Sequence, residues 1–287
     1  MAAPENNDAS LDGFGSREGA RRRTFLVDTH AHLCDPAFVS DLPEVMNRAL
    51  QAGVTGVVSV SEGIEDSRRT LELAGAREGR LPRILPAAGL APSGADPARA
   101  EEVIALARRE RNRLVAIGEV GLDFWVAKDE YARDVQRELL SAFVDLSLEL
   151  DLPLNVHSRS AGEKTVELLL RRGAKKVQLH AFDGRASAAL PAVEAGYFFS
   201  VPPSTVRSEQ KRKLVRNLPL RALLLETDSP VLGPLAQERN EPANLVISLE
   251  AVAKVKGVSL EEVAEAVSHN TLALYGAPRF APAGTVT

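Results

Sequence analysis

Residues 27–32 read Val-Asp-Thr-His-Ala-His, so two imidazoles follow a short apolar strand predicted over residues 25–27. Alternate residues of an extended segment share a face, and His30 and His32 can therefore point toward one centre. Imidazoles that converge on one centre are typical of a metal site. This stretch decides the fold, because the same combination of a short strand and a potential metal ligand recurs along the chain.

Eight such apolar or β-branched runs alternate with longer amphipathic patterns. Strands separated by helices favour parallel βαβ units, and eight of them in one sheet close most naturally into a barrel. A TIM-type (β/α)₈ barrel needs roughly 250 residues, and the chain has 287. We therefore predict an α/β fold of this type, with extra C-terminal helices at 242–256 and 259–273. The predicted strands are 25–27, 56–60, 83–88, 114–118, 153–156, 176–179, 197–200 and 222–225.

The two ends of the chain lack this periodicity. Residues 1–23 are rich in Ala, Gly, Asn, Asp and Arg, which predicts a disordered lead-in. Residues 277–287 have a similar composition and predict a flexible tail. A single barrel domain is expected between them, over residues 24–276.

Four of the five histidines and two acidic residues stand at the ends of predicted strands. All strands of a parallel barrel end on one face, where the active sites of this fold are built. Imidazole nitrogen and carboxylate oxygen are suitable donors for borderline divalent ions. The fifth histidine, His269, falls inside the last predicted helix and is predicted to be structural or on the surface. The predicted metal ligands are His30, His32, Glu119, His157, His180 and Asp228.

The composition is that of an ordinary globular protein, with 45% hydrophobic and 26% charged residues. The net charge of −4 argues against a broad basic surface for nucleic acid, but not against an enzyme that binds one phosphodiester through metal ions. The only cysteine, Cys34, excludes an internal disulfide and favours a reducing, cytoplasmic location. No run reaches the roughly 18 apolar residues of a membrane span, so no membrane is expected as a partner.

Five stretches spread across the predicted barrel carry a family resemblance. They are residues 27–33 (Val-Asp-Thr-His-Ala-His-Leu), 116–123 (Ala-Ile-Gly-Glu-Val-Gly-Leu-Asp), 155–159 (Asn-Val-His-Ser-Arg), 179–184 (Leu-His-Ala-Phe-Asp-Gly) and 225–230 (Leu-Glu-Thr-Asp-Ser-Pro). Together they resemble the TatD family of metal-dependent hydrolases and deoxyribonucleases. Residues 157–162, 197–204 and 239–242 look most like the branch of the third animal TatD-domain protein.

The resemblance implies a metallo-dependent hydrolase barrel with deoxyribonuclease or phosphodiesterase chemistry and two divalent metal ions per chain. It assigns to one ion His30, His32 and Asp228, and to the other His157 and His180. Glu119 would bridge both ions, and a water activated by them would attack the phosphodiester. Asp228 is also the candidate general base, because a carboxylate beside that water can accept its proton. Zinc, magnesium, manganese and nickel all remain open as the metal.

Basic residues near the strand ends are candidates for binding the substrate. Arg159 is predicted to bind a substrate phosphate with its planar guanidinium group. Arg185, Arg207 and Lys211 could do the same, although a solvated charge at the start of a helix is the favoured interpretation of each. Of these three, Arg185 is retained as a substrate-binding residue.

Three further carboxylates stand near the predicted site. Asp123 is a candidate for orienting a metal ligand or for capping a loop. Glu226 is a candidate for orienting a ligand, and the alternative is a charge in the barrel interior. Glu62, after the second strand, could contribute to a third metal ion.

One position departs from the family pattern. Many members carry Gly-x-His-Pro after the third strand, whereas residues 89–92 here read Gly-Leu-Ala-Pro, and Ala91 offers no imidazole. This departure favours an alternative function, the amidohydrolase-like hydrolysis of a small amide, lactone or ester on the same metal site. A non-catalytic partner protein is disfavoured, because clustered ligands without a metal are costly to desolvate. The predicted substrate is DNA or a small phosphodiester, with no obligate protein partner.

Overall fold

The structure, a computed structural model, describes residues 24–276 except Glu78 and Leu81. The lead-in predicted over residues 1–23 and the tail predicted over 277–287 lie outside the described residues. Within the described part, strands and helices alternate as the sequence predicts.

Eight parallel strands form one sheet in the order β1 to β8, and each strand pairs with the next along the chain. β8 returns beside β1, where the amide of Asp228 donates to the carbonyl of His30 at 2.9 Å and the amide of His32 donates to that of Ser229 at 2.8 Å. The predicted eight-stranded barrel is therefore confirmed. The strands are β1 (Leu26–Ala31), β2 (Val54–Ser59), β3 (Arg83–Ala88), β4 (Ala116–Gly121), β5 (Leu154–His157), β6 (Val177–Leu179), β7 (Phe198–Val201) and β8 (Leu223–Leu225).

In the described residues, one α-helix follows each of the first seven strands and two follow β8. Side-chain caps fix where several of them begin, since a polar oxygen satisfies an amide that the first turn leaves unpaired. Asp129 accepts from the amide of Ala132, and Ser259 accepts from that of Glu262. The helices are α1 (Leu42–Gln51), α2 (Ile64–Ala76), α3 (Pro97–Arg109), α4 (Glu130–Leu150), α5 (Gly162–Arg171), α6 (Ala186–Glu194), α7 (Glu209–Asn217), α8 (Leu245–Lys256) and α9 (Leu260–Tyr275).

The first strand is longer than predicted, because it extends to Ala31 instead of ending at residue 27. Beyond residue 27 it carries Asp28, Thr29 and His30, whose side chains are fully buried. The prediction stopped where the apolar run stops, whereas pairing with β2 continues to Ala31. The barrel interior therefore accepts polar side chains, and a metal-ligand candidate lies inside a strand rather than after it.

The main apolar core is formed by strand and helix side chains such as Phe143, Leu169 and Val252, all of which are buried. Tyr275, at the end of α9, reaches the barrel interior, where its hydroxyl donates to Gln178 Oε1 at 2.5 Å. None of the helices in residues 24–276, apart from the two positions left out, is long and apolar enough to cross a membrane. The packed core holds the strands in place, and loops follow the carboxyl ends of the strands.

Candidate metal centre

A cavity of about 510 Å³ opens at the carboxyl ends of the strands. Five of the six predicted metal ligands line it, and the sixth, His30, lies directly below with its side chain fully buried. The structure therefore brings all six together from five strands or the residues just after them, at the face where the sequence predicts a site. The five lining residues are His32, Glu119, His157, His180 and Asp228.

The first group of donors surrounds one oxygen of Glu119. His30 Nε2 and His32 Nε2 are 3.3 Å apart, and each lies 3.4 Å from Asp228 Oδ1. Glu119 Oε2 lies 3.3 Å from His32 Nε2 and 3.6 Å from His30 Nε2. Donors of a tetrahedral ion with bonds of about 2.1 Å stand about 3.4 Å apart. The distances of the two imidazole nitrogens from each other and from the two carboxylate oxygens match this spacing.

The second group surrounds the other oxygen of the same carboxylate. His157 Nδ1 lies 2.5 Å from Glu119 Oε1 and 3.1 Å from His180 Nε2. His180 Nε2 is 3.3 Å from Glu119 Oε1. Glu119 therefore stands between two sets of nitrogen and oxygen donors, with one oxygen directed at each set. This donor chemistry fits divalent metal ions.

Backbone conformation helps to place two of the carboxylates. Asp228 has a φ of 55°, in the left-handed region that non-glycine residues rarely occupy. Its amide is bound to the carbonyl of His30, so the end of β8 is tied to β1 at the site. At Glu119, strand β4 approaches the loop after β3 closely, since a Cβ on Gly89 would lie 2.4 Å from the Glu119 carbonyl oxygen. Glycine at position 89 is therefore required for this approach.

Asn155 orients His30 from inside the barrel. Its Oδ1 lies 2.8 Å from His30 Nδ1, while its Nδ2 donates to the carbonyl of Thr29 at 2.9 Å. The second bond fixes the amide orientation, so Nδ1 of His30 must donate and Nε2 keeps its lone pair for a metal. Gln178 and Tyr275 extend this buried polar network below the site.

Asp123 orients His157 from the loop between β4 and α4. Its Oδ2 lies 3.2 Å from His157 Nε2, which leaves Nδ1 of that ring to face Glu119. The same oxygen pairs with Arg159 Nη2 at 2.7 Å. Oδ1 accepts the amides of Trp125 and Val126 at 2.9 and 3.1 Å. Asp123 therefore has both of the roles considered for it, because it orients a ligand candidate and caps a loop.

Glu226 supports the backbone beside His180. Its Oε1 accepts the amide of Ala181 at 2.8 Å, and its Oε2 accepts the hydroxyl of Ser200 at 2.5 Å. Among the described residues His180 Nδ1 is buried without a hydrogen-bond partner, and Glu226 Oε2 is 3.9 Å away. Burial raises the pKa of Glu226 to about 7. Glu226 is thus a buried group of the barrel interior that also positions the segment after β6.

The charges of the site favour a cation at its centre. Burial disfavours a charged imidazole, but Glu119 and Asp123 outweigh burial and raise the pKa of His157 to about 9. Burial likewise disfavours the Glu119 carboxylate, yet His157 and His180 hold its pKa well below the usual range. Bound divalent ions would supply the positive charge that these carboxylates attract, and would displace protons from the imidazoles.

The basic residues predicted to bind substrate occupy different places. Arg159 lines the cavity, whereas Arg185 is exposed at the start of α6 and is not among the lining residues. Arg207 donates to the carbonyl of Gly233 and does not line the cavity either. Lys211 does line it, and its Nζ donates to the carbonyl of Ala181 at 2.9 Å. The favoured interpretation of Lys211 as a solvated charge was therefore wrong.

Other predicted positions are found where their strands place them. Glu62 and Ala91 both line the cavity, and Glu62 Oε1 lies 3.9 Å from His32 Nδ1. His269 is exposed on α9, away from the lining residues. Asn155, by contrast, was not singled out from the sequence as a functional residue. A polar amide two positions before His157 in an otherwise apolar strand was the signal that could have identified it.

Comparisons with known proteins identify similar chains. Residues 27–276 match the family described as TatD related DNase. The human protein named Deoxyribonuclease TATDN3 is 45% identical over 261 residues, which cover 87% of this chain and 94% of that protein. An uncharacterized metal-dependent hydrolase of Methanocaldococcus jannaschii is 33% identical over 248 residues, covering 85% and 94% of the two chains.

Solved structures give the same result for the fold. The crystal structure of the TatD homologue YJJV from Escherichia coli is similar with a TM-score of 0.80 at 28% identity, covering 88% of this chain and 98% of that one. A TatD family hydrolase from Entamoeba histolytica has a TM-score of 0.79 at 20% identity, with the same coverage of 88% and 98%. At that identity the second similarity supports the barrel alone.

Proposed function

This chain belongs to the family of TatD-related DNases, and from that premise we propose that it is a divalent-metal-dependent hydrolase of phosphodiester bonds in DNA. The observation that carries the proposal is the position of Glu119, whose two oxygens face two sets of donors at the base of an open cavity. A pair of ions that shares one carboxylate is suited to an in-line displacement at phosphorus.

The proposed ligands divide as the family pattern assigns them. One ion would be held by His30, His32 and Asp228, and the other by His157 and His180. Glu119 would be shared by both. Divalent ions at these positions would polarise the phosphodiester and lower the pKa of the attacking water. Zinc, magnesium, manganese and nickel are all compatible with these donors, and two ions per chain is our proposal for their number.

The side chains around the cavity supply the remaining roles. Asp228 lines the cavity, so its carboxylate can take the proton of a water molecule there, which is the role of general base. Arg159 is held by Asp123 with its guanidinium group half exposed, and it can donate to a phosphate oxygen. Lys211, anchored at the carbonyl of Ala181, offers a second cation at the cavity wall.

Ala91 favours a second candidate function on the same site. It lines the cavity at a position where many family members present an imidazole, so this chain has one phosphate donor fewer. A small amide, lactone or ester needs fewer contacts to charged oxygens than a phosphodiester does. Hydrolysis of such a substrate is therefore the alternative. A cytoplasmic location also stays a prediction, since it rests on the low cysteine content.

The test is cleavage of end-labelled single-stranded DNA by purified protein, with and without EDTA, beside Glu119→Ala. We expect cleavage by the wild-type protein that is lost both with the chelator and with the substitution. Metal binding without cleavage of DNA would overturn the proposal in favour of the alternative, which hydrolysis in a panel of amides, lactones and esters would then support. Cleavage that survives EDTA would exclude the metal centre as its source.

A further inference from the structure

The loop between β4 and α4 presents a large aromatic side chain to solvent. Trp125 is the only tryptophan of the chain, and it is 63% exposed. Its neighbour Val126 is 44% exposed. A tryptophan usually buries most of its surface, so one that is held outward in this way marks a candidate binding surface.

This loop is attached to the metal centre through Asp123. Oδ1 of that carboxylate accepts the Trp125 amide at 2.9 Å, while Oδ2 contacts His157 and Arg159. The amide of Phe124 also donates to the carbonyl of Arg159 at 3.0 Å. Two residues of chain span at most about 7 Å, so the backbone of Trp125 lies within that distance of Asp123, which lines the cavity. Trp125 itself is outside the lining residues.

Further contacts fix the residues on either side of Trp125. The guanidinium groups of Arg133 and Arg137 lie 4.8 and 5.6 Å from the centre of the Phe124 ring, which anchors that side chain on α4. Ala127 is buried, and its amide donates to the carbonyl of Asp123 at 2.9 Å. Preorganisation of this kind lowers the entropic cost of binding a ligand on the indole.

The charge around the indole indicates what it would bind. Lys128 Nζ lies 4.7 Å from the centre of the Trp125 ring, so a cation accompanies the aromatic surface. Arg159 provides another cation on the cavity side of the loop. An exposed ring beside positive charges is the combination with which proteins bind single-stranded nucleic acid, since bases stack on the ring and cations attract the backbone.

We propose that Trp125 is a stacking platform for a nucleobase of the DNA strand whose phosphate occupies the metal centre. This proposal rests on the proposed function, because only a DNA substrate bound at the metal centre would bring a strand to this loop. The base would lie on the indole, and Lys128 and Arg159 would face the adjoining phosphates. Binding on this platform tolerates different sequences, since every base has a π-face.

The single tryptophan makes the proposal directly measurable. We would titrate the metal-loaded protein with a phosphorothioate oligothymidylate that resists cleavage, and record the tryptophan emission. A strand of equal length and charge built from tetrahydrofuran abasic residues serves as the ligand without bases. We expect quenching by the first strand only. Equal quenching by both strands would overturn stacking. A change in emission that depends on the concentration of protein and not on that of DNA would overturn it as well.

Kinetics separate stacking from the proposed function itself. We expect Trp125→Ala to raise KM for single-stranded DNA about 5- to 100-fold, as removal of one stacking contact does, with little change in kcat. Trp125→Phe should retain most of the affinity, and Val126→Ala, which removes apolar surface without a π-face, should change nothing. Unchanged KM in Trp125→Ala, with normal cleavage by the wild type, would overturn the proposed stacking on Trp125 but not the proposed function. Absence of DNA cleavage by the wild type would instead remove the proposed function.

Discussion

The two sides of Glu119 are built from similar donors but are supported differently. On the His30 side, the imidazole is fully buried and is oriented by the neutral amide of Asn155. On the His157 side, the imidazole is 18% exposed and is oriented by the carboxylate of Asp123. The first support belongs to the barrel interior, and the second belongs to a loop that also holds Arg159.

Because of this difference, one site can combine a rigidly held ligand on the His30 side with access to substrate on the His157 side. A neutral hydrogen bond in a buried network fixes geometry without adding charge, and water cannot replace it. A carboxylate at the rim adds negative charge and connects its ligand to a residue that faces the cavity. We infer that the His30 side is the structural half of the centre, and that the His157 side is the half coupled to the substrate.

The largest effect is expected where the two sides meet. Glu119→Gln keeps the shape of the side chain but removes the charge that both sets of donors share. Substitution of a residue that only orients a metal ligand already lowers metal affinity or activity by about 10- to 100-fold. We therefore expect cleavage to fall by more than about 100-fold and metal to be lost from both sides of Glu119. Metal analysis of the purified variant and initial cleavage rates test this. Retention of both ions with normal cleavage would show that the carboxylate is not shared.

A second prediction concerns the buried support. Asn155→Leu removes the acceptor for His30 Nδ1 and one donor to the carbonyl of Thr29, which also accepts from Gln178 Nε2 at 3.2 Å. We expect metal affinity to fall toward the upper end of about 10- to 100-fold, because the lost bond is inaccessible to water. Competition with a fluorescent chelator measures the affinity. Asn217→Leu, at the exposed end of α7, is the matched control, and an equal effect in both variants would contradict a specific role for Asn155.

We expect a substitution at Asp123, the support on the exposed side, to lower metal affinity less than a substitution at Asn155. Asp123→Asn keeps an oxygen for the loop amides but removes the charge that faces His157 and Arg159. Since solvent reaches this side, we expect metal affinity to fall by only about tenfold, together with a higher KM for DNA. Asp96→Asn, which alters the cap of α3, is the control. If Asp123→Asn costs more than Asn155→Leu, the proposed difference between the two sides is wrong.

The smallest effect concerns two arginines that the sequence could not distinguish. Arg159 is 49% exposed at the cavity wall, whereas Arg185 lies outside the lining residues. We expect Arg159→Ala to raise KM for DNA about fivefold, equivalent to about 1 kcal/mol, because an exposed ion pair with phosphate is weak. Arg185→Ala should leave KM unchanged. Equal effects would return Arg185 to the substrate-binding residues.

The sequence predicted the barrel and the meeting of the six ligand candidates for a simple physical reason. Parallel strands end on one face, so ligands at the ends of five predicted strands are enough to predict convergence. The limits of β1 were missed because Asp28 and Thr29 look like the end of an apolar run, although both are buried. Strand boundaries inside a polar barrel interior cannot be read from hydrophobicity alone.

Contacts between distant residues were beyond the sequence as well. Nothing in the pattern pairs Asn155 with His30, which lies 125 positions earlier, or Asp123 with Arg159. Lys211 was assigned to solvent because a charge at the start of a helix usually lies there, whereas α7 places it against the carbonyl of Ala181. Each of these contacts depends on how the helices and loops pack around the strand ends, which local sequence does not encode.

We propose that two divalent ions share Glu119 and that both are needed for hydrolysis of DNA. The most direct test is to titrate metal-free protein with Mn²⁺, counting bound ions per chain and measuring the initial rate of single-stranded DNA cleavage on the same samples. We predict two ions per chain, with full cleavage only once the second has bound. Full cleavage with a single ion, or cleavage by the metal-free protein, would contradict the claim.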